Sequence, residues 1–193
     1  MSRLLLASGS PRRRQLLAQL GLELEVAASN VDEAVQQGES PRGYVARIAR
    51  AKGEAVGGKF PGRVVLSADT SVVKGGRIFG KPLGEEGAVE MLRELSGGEH
   101  LVLTAVRVAG PRGAFEEVVE TRVLFREIPA EEARWYARTG EPLDKAGGYG
   151  IQDRGGMFVS AIHGSYSNVV GLPLAEALAL LSKAGLPLPW RPS

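Results

Sequence analysis

Two serine–proline pairs, Ser10-Pro11 and Ser40-Pro41, constrain this chain more than any other feature. Serine caps a helix N-terminus well. Proline, with its fixed φ and no N–H to satisfy, suits the first helical position. Before the first pair lies a short apolar run, Leu4 to Ala7, of the kind that makes a central strand. Strand, small-residue loop and capped helix in succession is the unit from which α/β domains are built. A chain of 193 residues holds one such domain, or one domain split into two lobes around a cleft.

Periodicity extends the pattern. The first helix is predicted to run through Leu16, Leu17 and Leu20 and to stop at Gly21. Leu22 to Ala28 alternates as a half-exposed strand, and Ser29 to Glu39 is polar and irregular. The second helix carries Tyr44, Ile48, Ala51 and Ala55 at helical spacing and ends at Gly57-Gly58. Arg63 to Ala68 reads as a buried strand. Ser71 to Lys74, Gly75-Gly76 and Arg77 to Phe79 read as a hairpin on a two-glycine turn. A helix over Glu85 to Leu95 follows. Leu101 to Val108 and Phe115 to Ile128 then form a long strand pair around Pro111-Arg112-Gly113. A helix over Pro129 to Arg138, a glycine-rich loop over Glu141 to Arg154, a strand over Met157 to Ile162 and a helix over Leu174 to Leu181 complete the order. The tail 186–193 is expected to be mobile. Because two hairpin-like pairs interrupt the parallel rule, the sheet is predicted to be mixed.

Composition narrows the chemistry. The net charge of +2 lacks the basic footprint of a nucleic-acid polymer binder. No cysteine is present, which removes disulfides, thiolate catalysis and cysteine-ligated metal. His100 and His163 are too few and too far apart for a histidine metal site. The apolar runs are far too short for a membrane span. The apolar run near Met1 stops at Ser8-Gly9-Ser10-Pro11 and three arginines, unlike a secretory signal, so the expected compartment is the cytoplasm.

Several segments could carry phosphate chemistry. In Ser8-Gly9-Ser10-Pro11-Arg12-Arg13, a helix N-terminus with free N–H groups favours an anion. Arginines in that first turn oppose the dipole unless an anion neutralises both; a solvated basic surface is the plain alternative. Asp32-Glu33 matter only if another carboxylate converges on them with a hard cation. Lys52 continues the inward stripe of Tyr44 and Ile48, so it either reaches an anionic cleft or snorkels past the helix end. Asp69 is expected where the strand Arg63 to Ala68 runs out. Ligands collect beyond carboxyl ends of strands, and a carboxylate there can hold metal or take a proton from water. Gly80-Lys81-Pro82 with Gly75 mimics a Walker A motif but fails as one, because Pro82 has neither the hydroxyl for Mg²⁺ nor an N–H for phosphate. Lys81 remains a candidate phosphate contact. Asp144 to Gln152 is rich in glycine, so backbone can approach a ligand, and the Gln152 amide can pair with both the donor and acceptor of a uracil-type base.

Taken in order, Ala7 to Arg13, Ala68-Asp69-Thr70, Gly80-Lys81-Pro82, Asp144 to Gln152 and Gly164 to Pro173 resemble the Maf family of nucleotide pyrophosphatases, over about Leu4 to Leu181. Gly148 is the one departure, where alanine is frequent. The Asp144 to Gln152 segment looks like the subfamily acting on dTTP and UTP. The resemblance implies a Maf/inosine-triphosphatase-like α/β fold over residues 1–193: a long twisted mixed sheet with flanking helices and two lobes around a deep cleft. It implies hydrolysis of a nucleoside triphosphate to the monophosphate and pyrophosphate, with Asp69 as proton acceptor and a divalent cation (Mg²⁺, Mn²⁺ or Co²⁺). Arg12, Thr70 and Gln152 match positions tied to base preference. Ser8, Arg13, Lys52, Lys81 and Lys145 match groups around the triphosphate. Glu33 matches a metal-side carboxylate beside Asp69, and a homodimer is what the family suggests. Two alternatives stay open: the same reaction on modified or purine nucleotides, and a nucleotide-binding regulator of cell division without significant turnover.

Overall fold

The computed structural model describes residues 3–190. Seven strands form one sheet in the order β2-β1-β3-β5-β6-β7, with β4 paired to β3. The strands are β1 (Leu4–Leu6), β2 (Leu24–Val26), β3 (Val65–Lys74), β4 (Arg77–Phe79), β5 (Glu99–Gly110), β6 (Gly113–Phe125) and β7 (Val159–His163). The helices are α1 (Pro11–Ala18), α2 (Pro41–Gly57), α3 (Gly84–Leu95), α4 (Ala130–Arg138), α5 (Tyr166–Val170) and α6 (Leu174–Ala184). β1 pairs in parallel with β2 and β3, whereas β3–β4 and β6–β7 are antiparallel. The mixed α/β sheet predicted from the sequence is therefore present. No helix among the described residues is long and apolar enough to cross a membrane.

The chain divides into two compact units. One holds the described residues 3–69, 104–119 and 171–190; the other holds 70–103 and 120–170. In the first, Leu5, Ala7, Val56 and Val65 form an apolar cluster. In the second, Phe125, Tyr136 and Phe158 sit at the centre of a larger core with Leu92, Leu95 and Val123. Burying each such large side chain contributes about 1.5–3 kcal/mol.

Local chemistry accounts for most boundaries. Ser40 caps α2 as expected, its Oγ accepting from Gly43 N at 3.2 Å. Ser10 precedes Pro11 at the start of α1 but makes no side-chain cap; instead its own N–H donates to Ser8 Oγ at 3.3 Å. Gly75 and Gly76 both have positive φ, 58° and 80°, as the tight β3–β4 turn requires. The buried face of α2 is Tyr44, Val45, Ile48, Ala49, Gly53 and Val56, and Ala55 is exposed, one step off the predicted stripe.

The largest correction concerns β3. The sequence suggested a strand ending at Ala68 and a separate hairpin strand from Ser71. The structure has one ten-residue strand running straight through Asp69 and Thr70. Polar residues broke the apolar run in the sequence, but Ser67, Asp69 and Ser71 alternate onto one face and are all buried. Helix α5 was not foreseen, and the glycine-rich loop contains short 3₁₀ turns at Glu141–Asp144, Ala146–Gly148 and Arg154–Phe158. Part of the tail expected to be mobile, 191–193, lies outside the described residues; Leu186 and Leu188 are buried.

Candidate active site

The first unit holds six of the predicted residues: Ser8, Arg12, Arg13, Glu33, Lys52 and Asp69. β1 stops at Leu6 while β3, in register with it at Leu6↔Leu66, runs on. Asp69 therefore lies just past the carboxyl end of β1, although it is inside β3. The expectation of a carboxylate beyond a strand end is met by the neighbouring strand, not by its own.

Helix α2 packs on β3 at close range, and Gly53 makes that possible. A Cβ at Gly53 would sit 2.6 Å from Ser67 Oγ. Ser67 Oγ in turn donates to Ala49 O at 2.7 Å. This contact sets the residue before Gly53 beside the residue two after Ser67. Lys52 Nζ lies 2.8 Å from Asp69 Oδ1 and 2.8 Å from Glu33 Oε1. The inward lysine thus reaches anions, as one of its two readings had it. Glu33 reaches the site from the irregular segment, which is held by Tyr44 Oη donating to Glu33 O at 2.9 Å. Asp32, by contrast, caps a local turn, accepting from Ala34 N at 2.9 Å.

Arg13 occupies the first turn of α1 and is buried. Its Nε donates to Gly171 O at 2.7 Å and its Nη1 to Ser8 Oγ at 3.0 Å. Asp69 and Glu33 favour the charged guanidinium and so counter part of the penalty of a buried cation at a helix N-terminus, which the sequence suggested a bound anion would remove. Arg12 beside it is half-buried.

Electrostatics make Asp69 the centre of this cluster. Burial pushes its carboxyl above the ordinary aspartate range; the Lys52 ammonium, and then Arg13, pull it back. Burial likewise lowers the Arg13 guanidinium. The Tyr44 hydroxyl is pushed up to about 12 by burial and then by Asp69 and Glu33.

The second unit holds Thr70, Lys81, Lys145 and Gln152. Lys81 and Gln152 are exposed, Thr70 is half-buried, and Lys145 is buried. Gly147 N donates to Gly80 O at 3.0 Å, which ties the loop bearing Lys145 to the segment bearing Lys81. Lys145 Nζ donates to Glu141 O and to Asp144 Oδ1, the latter at 2.8 Å. The glycines here were read as room for a ligand, and for two of them the structure gives another reason. A Cβ at Gly147 would lie 2.7 Å from Val72, and one at Gly150 would lie 2.7 Å from Lys145 Cε. Gly148, with φ 68°, tolerates a Cβ sterically but not conformationally. The sequence reading missed Glu141 and Tyr136. Their only signal was position: a glutamate opening the glycine-rich loop, and a tyrosine on the helix before it.

The family model described as Maf-like protein matches residues 3–184. The chain belongs to the Maf-like family. A protein of Anaeromyxobacter dehalogenans named dTTP/UTP pyrophosphatase is 56% identical over 97% of each chain. One of Myxococcus xanthus with the same name is 53% identical over 98% of this chain and 96% of its own. Among solved structures, a HAM1 protein from Coxiella burnetii aligns at TM-score 0.51 and 13% identity, covering 95% of this Maf-like chain and all of its own; it shares the fold.

Proposed function

We propose that this Maf-like protein is a nucleoside triphosphate pyrophosphatase acting on dTTP and UTP, releasing the monophosphate and pyrophosphate. The observation that carries this reading is the Lys52 ammonium held between Asp69 and Glu33, with Arg13 beside Asp69. A buried carboxylate whose basicity burial raises, kept beside fixed cations, suits a base that must work near neutral pH. The names of relatives 53% and 56% identical support the choice of substrate.

In the proposed step, water attacks the α-phosphorus. Asp69 accepts its proton as the new P–O bond forms, and the α–β bridging P–O bond breaks with its electron pair on the departing pyrophosphate. Lys52 and Arg13 stand fixed where negative charge gathers, so they stabilise it without reorganising. Lys81 and Lys145 are proposed contacts for the phosphates, as is Ser8. Arg12, Thr70 and Gln152 are proposed readers of the base.

Asp69 and Glu33 also fit a divalent cation. Both are hard oxygen donors, and each carboxylate keeps lone pairs beyond the one that Lys52 takes. The described residues contain no cluster of three or more such ligands, which suits an ion bound through one or two carboxylates and substrate phosphates. Such a cation, when bound, supplies Lewis-acid charge stabilisation of the phosphoryl oxygens.

A panel of ribo- and deoxyribonucleoside triphosphates, including modified and purine ones, assayed for pyrophosphate with Mg²⁺, Mn²⁺ or Co²⁺, tests the reading. dTTP and UTP should lead the panel by kcat/KM. Leadership by a purine or a modified nucleotide overturns the substrate assignment, and binding without pyrophosphate release overturns the enzyme.

A further inference from the structure

The loop from Glu141 to Gly155 carries Lys145 and Gln152, yet Gln152 is exposed. Something else must hold its amide in one place. Glu141, whose side chain is only 9% exposed, collects donors from both sides of Gln152. Its Oε1 accepts from Tyr136 Oη at 2.7 Å and from Gly155 N at 3.1 Å. Its Oε2 accepts from Arg154 N at 3.2 Å and pairs with the Arg154 guanidinium at 3.8 Å. Its backbone carbonyl takes Lys145 Nζ.

Tyr136 extends the network. The hydroxyl that donates to Glu141 also accepts from Gly150 N at 3.2 Å. Burial, and then the bond to Glu141, push its ionisation up, so it stays a neutral donor. Gly155 has no room for a side chain: a Cβ would lie 2.7 Å from Tyr136 Oη and 2.8 Å from Gly150 O. Positions 150, 154 and 155 are thus pinned to one carboxylate–phenol pair. Gln152 sits between them, two residues from each side.

We infer that Glu141 is a positioning residue: through Tyr136, Arg154 and Gly155 it fixes the loop in the shape that presents Lys145 and Gln152 to the nucleotide. The inference rests on the proposed role of those two side chains. A carboxylate accepts about four hydrogen bonds, and here it accepts three and adds the Arg154 ion pair. Losing them frees the loop ends while the α4 core beneath, built on Tyr136 and Phe158, stays packed.

The test is steady-state kinetics with UTP, dTTP and CTP on the full chain carrying Glu141→Ala, Glu141→Gln or Tyr136→Phe, alongside Lys145→Ala and Gln152→Ala, with Tm measured for each. Glu141→Ala should raise KM for UTP about tenfold and shrink the UTP-to-CTP ratio of kcat/KM toward that of Gln152→Ala. Glu141→Gln keeps one acceptor oxygen and should fall between. A Glu141→Ala/Gln152→Ala double variant should lose no more selectivity than Gln152→Ala alone, because the first acts through the second. A purely structural glutamate would lower Tm and the active fraction while KM and the ratio stay at wild-type values, and that result overturns the inference. If Glu141→Ala does not fold, Glu141→Gln and Tyr136→Phe decide on the same criteria. Unchanged kinetics in Lys145→Ala and Gln152→Ala overturn the loop's substrate role and the inference with it. Changed controls with unmoved Glu141 and Tyr136 variants overturn the inference alone.

Discussion

Asp69→Asn separates catalysis from stability at the centre of the site. The substitution keeps the shape of the side chain and an oxygen to accept from Lys52 Nζ, now 2.8 Å away. It removes the charge. A lost general base costs typically 10²–10⁴ in rate, or about 2.7–5.4 kcal/mol of transition-state stabilisation. Stability should move little, because two effects oppose. Exchanging a charge-assisted hydrogen bond for a neutral one costs about 1 kcal/mol. Against that, burial raises the Asp69 carboxyl above its ordinary value, so the folded state disfavours its charge, and asparagine removes that penalty. The signs nearly cancel, to within about 1 kcal/mol, and for a chain this long 1 kcal/mol moves Tm by about 2–4 °C. The sign of the pH dependence follows as well. A raised carboxyl contributes stability that is full at low pH and lost as pH rises through its folded value, so wild type should gain on Asp69→Asn as pH falls. Pyrophosphate release under saturating UTP and a thermal melt at several pH values measure all three. Turnover within about threefold of wild type removes Asp69 from the chemistry. A Tm drop beyond about 8 °C makes its charge a structural keystone instead.

Lys52→Met takes away the ammonium that holds the Asp69 carboxyl down, so the acidic limb of the kcat/KM–pH profile should move to higher pH; a limb that stays put breaks the link between the two residues. Gly147→Ala pushes a Cβ to within 2.7 Å of Val72 and forces an L residue to φ 72°, which together cost about 3 kcal/mol and should lower Tm by about 6–12 °C; a shift under about 2 °C means Val72 moves aside freely. Hydrolysis in ¹⁸O-water should place the label in the monophosphate, and label in pyrophosphate rejects attack at the α-phosphorus. Chelation with EDTA should abolish turnover and leave Tm within about 4 °C, since no structural cluster of metal ligands exists among the described residues; a large melt shift would point to a folding role for the ion.

How the site came to be legible differs residue by residue. Lys52 carried a usable signal, because a lysine on the stripe of Tyr44 and Ile48 must find an anion or escape. Asp69 was found for a partly wrong reason. Ser67, Asp69 and Ser71, which seemed to end its strand, alternate onto one buried face, and it is the shorter β1 whose end Asp69 lies beyond. Glu33 had almost no local signal. Adjacent acids in an irregular segment are ordinarily solvated, and only the approach of α2 to β3, through Gly53 and Ser67, turns one of them into a partner of Lys52. Glu141 and Tyr136 had only their position at the glycine-rich loop, since their meaning lies in which backbone amides they meet.

The sequence by itself determined the alternation of strands and helices, the tight hairpin at Gly75-Gly76, the mixed character of the sheet and the set of charged residues available for phosphate chemistry. These depend on periodicity, capping and φ preferences, which act over a few residues. Only the tertiary structure decided that β3 runs unbroken through Asp69, that carboxylates of its own chain face the buried Arg13, and that one ammonium joins Glu33 to Asp69. Those outcomes depend on burial and on distances between residues remote in sequence, and no local pattern encodes either.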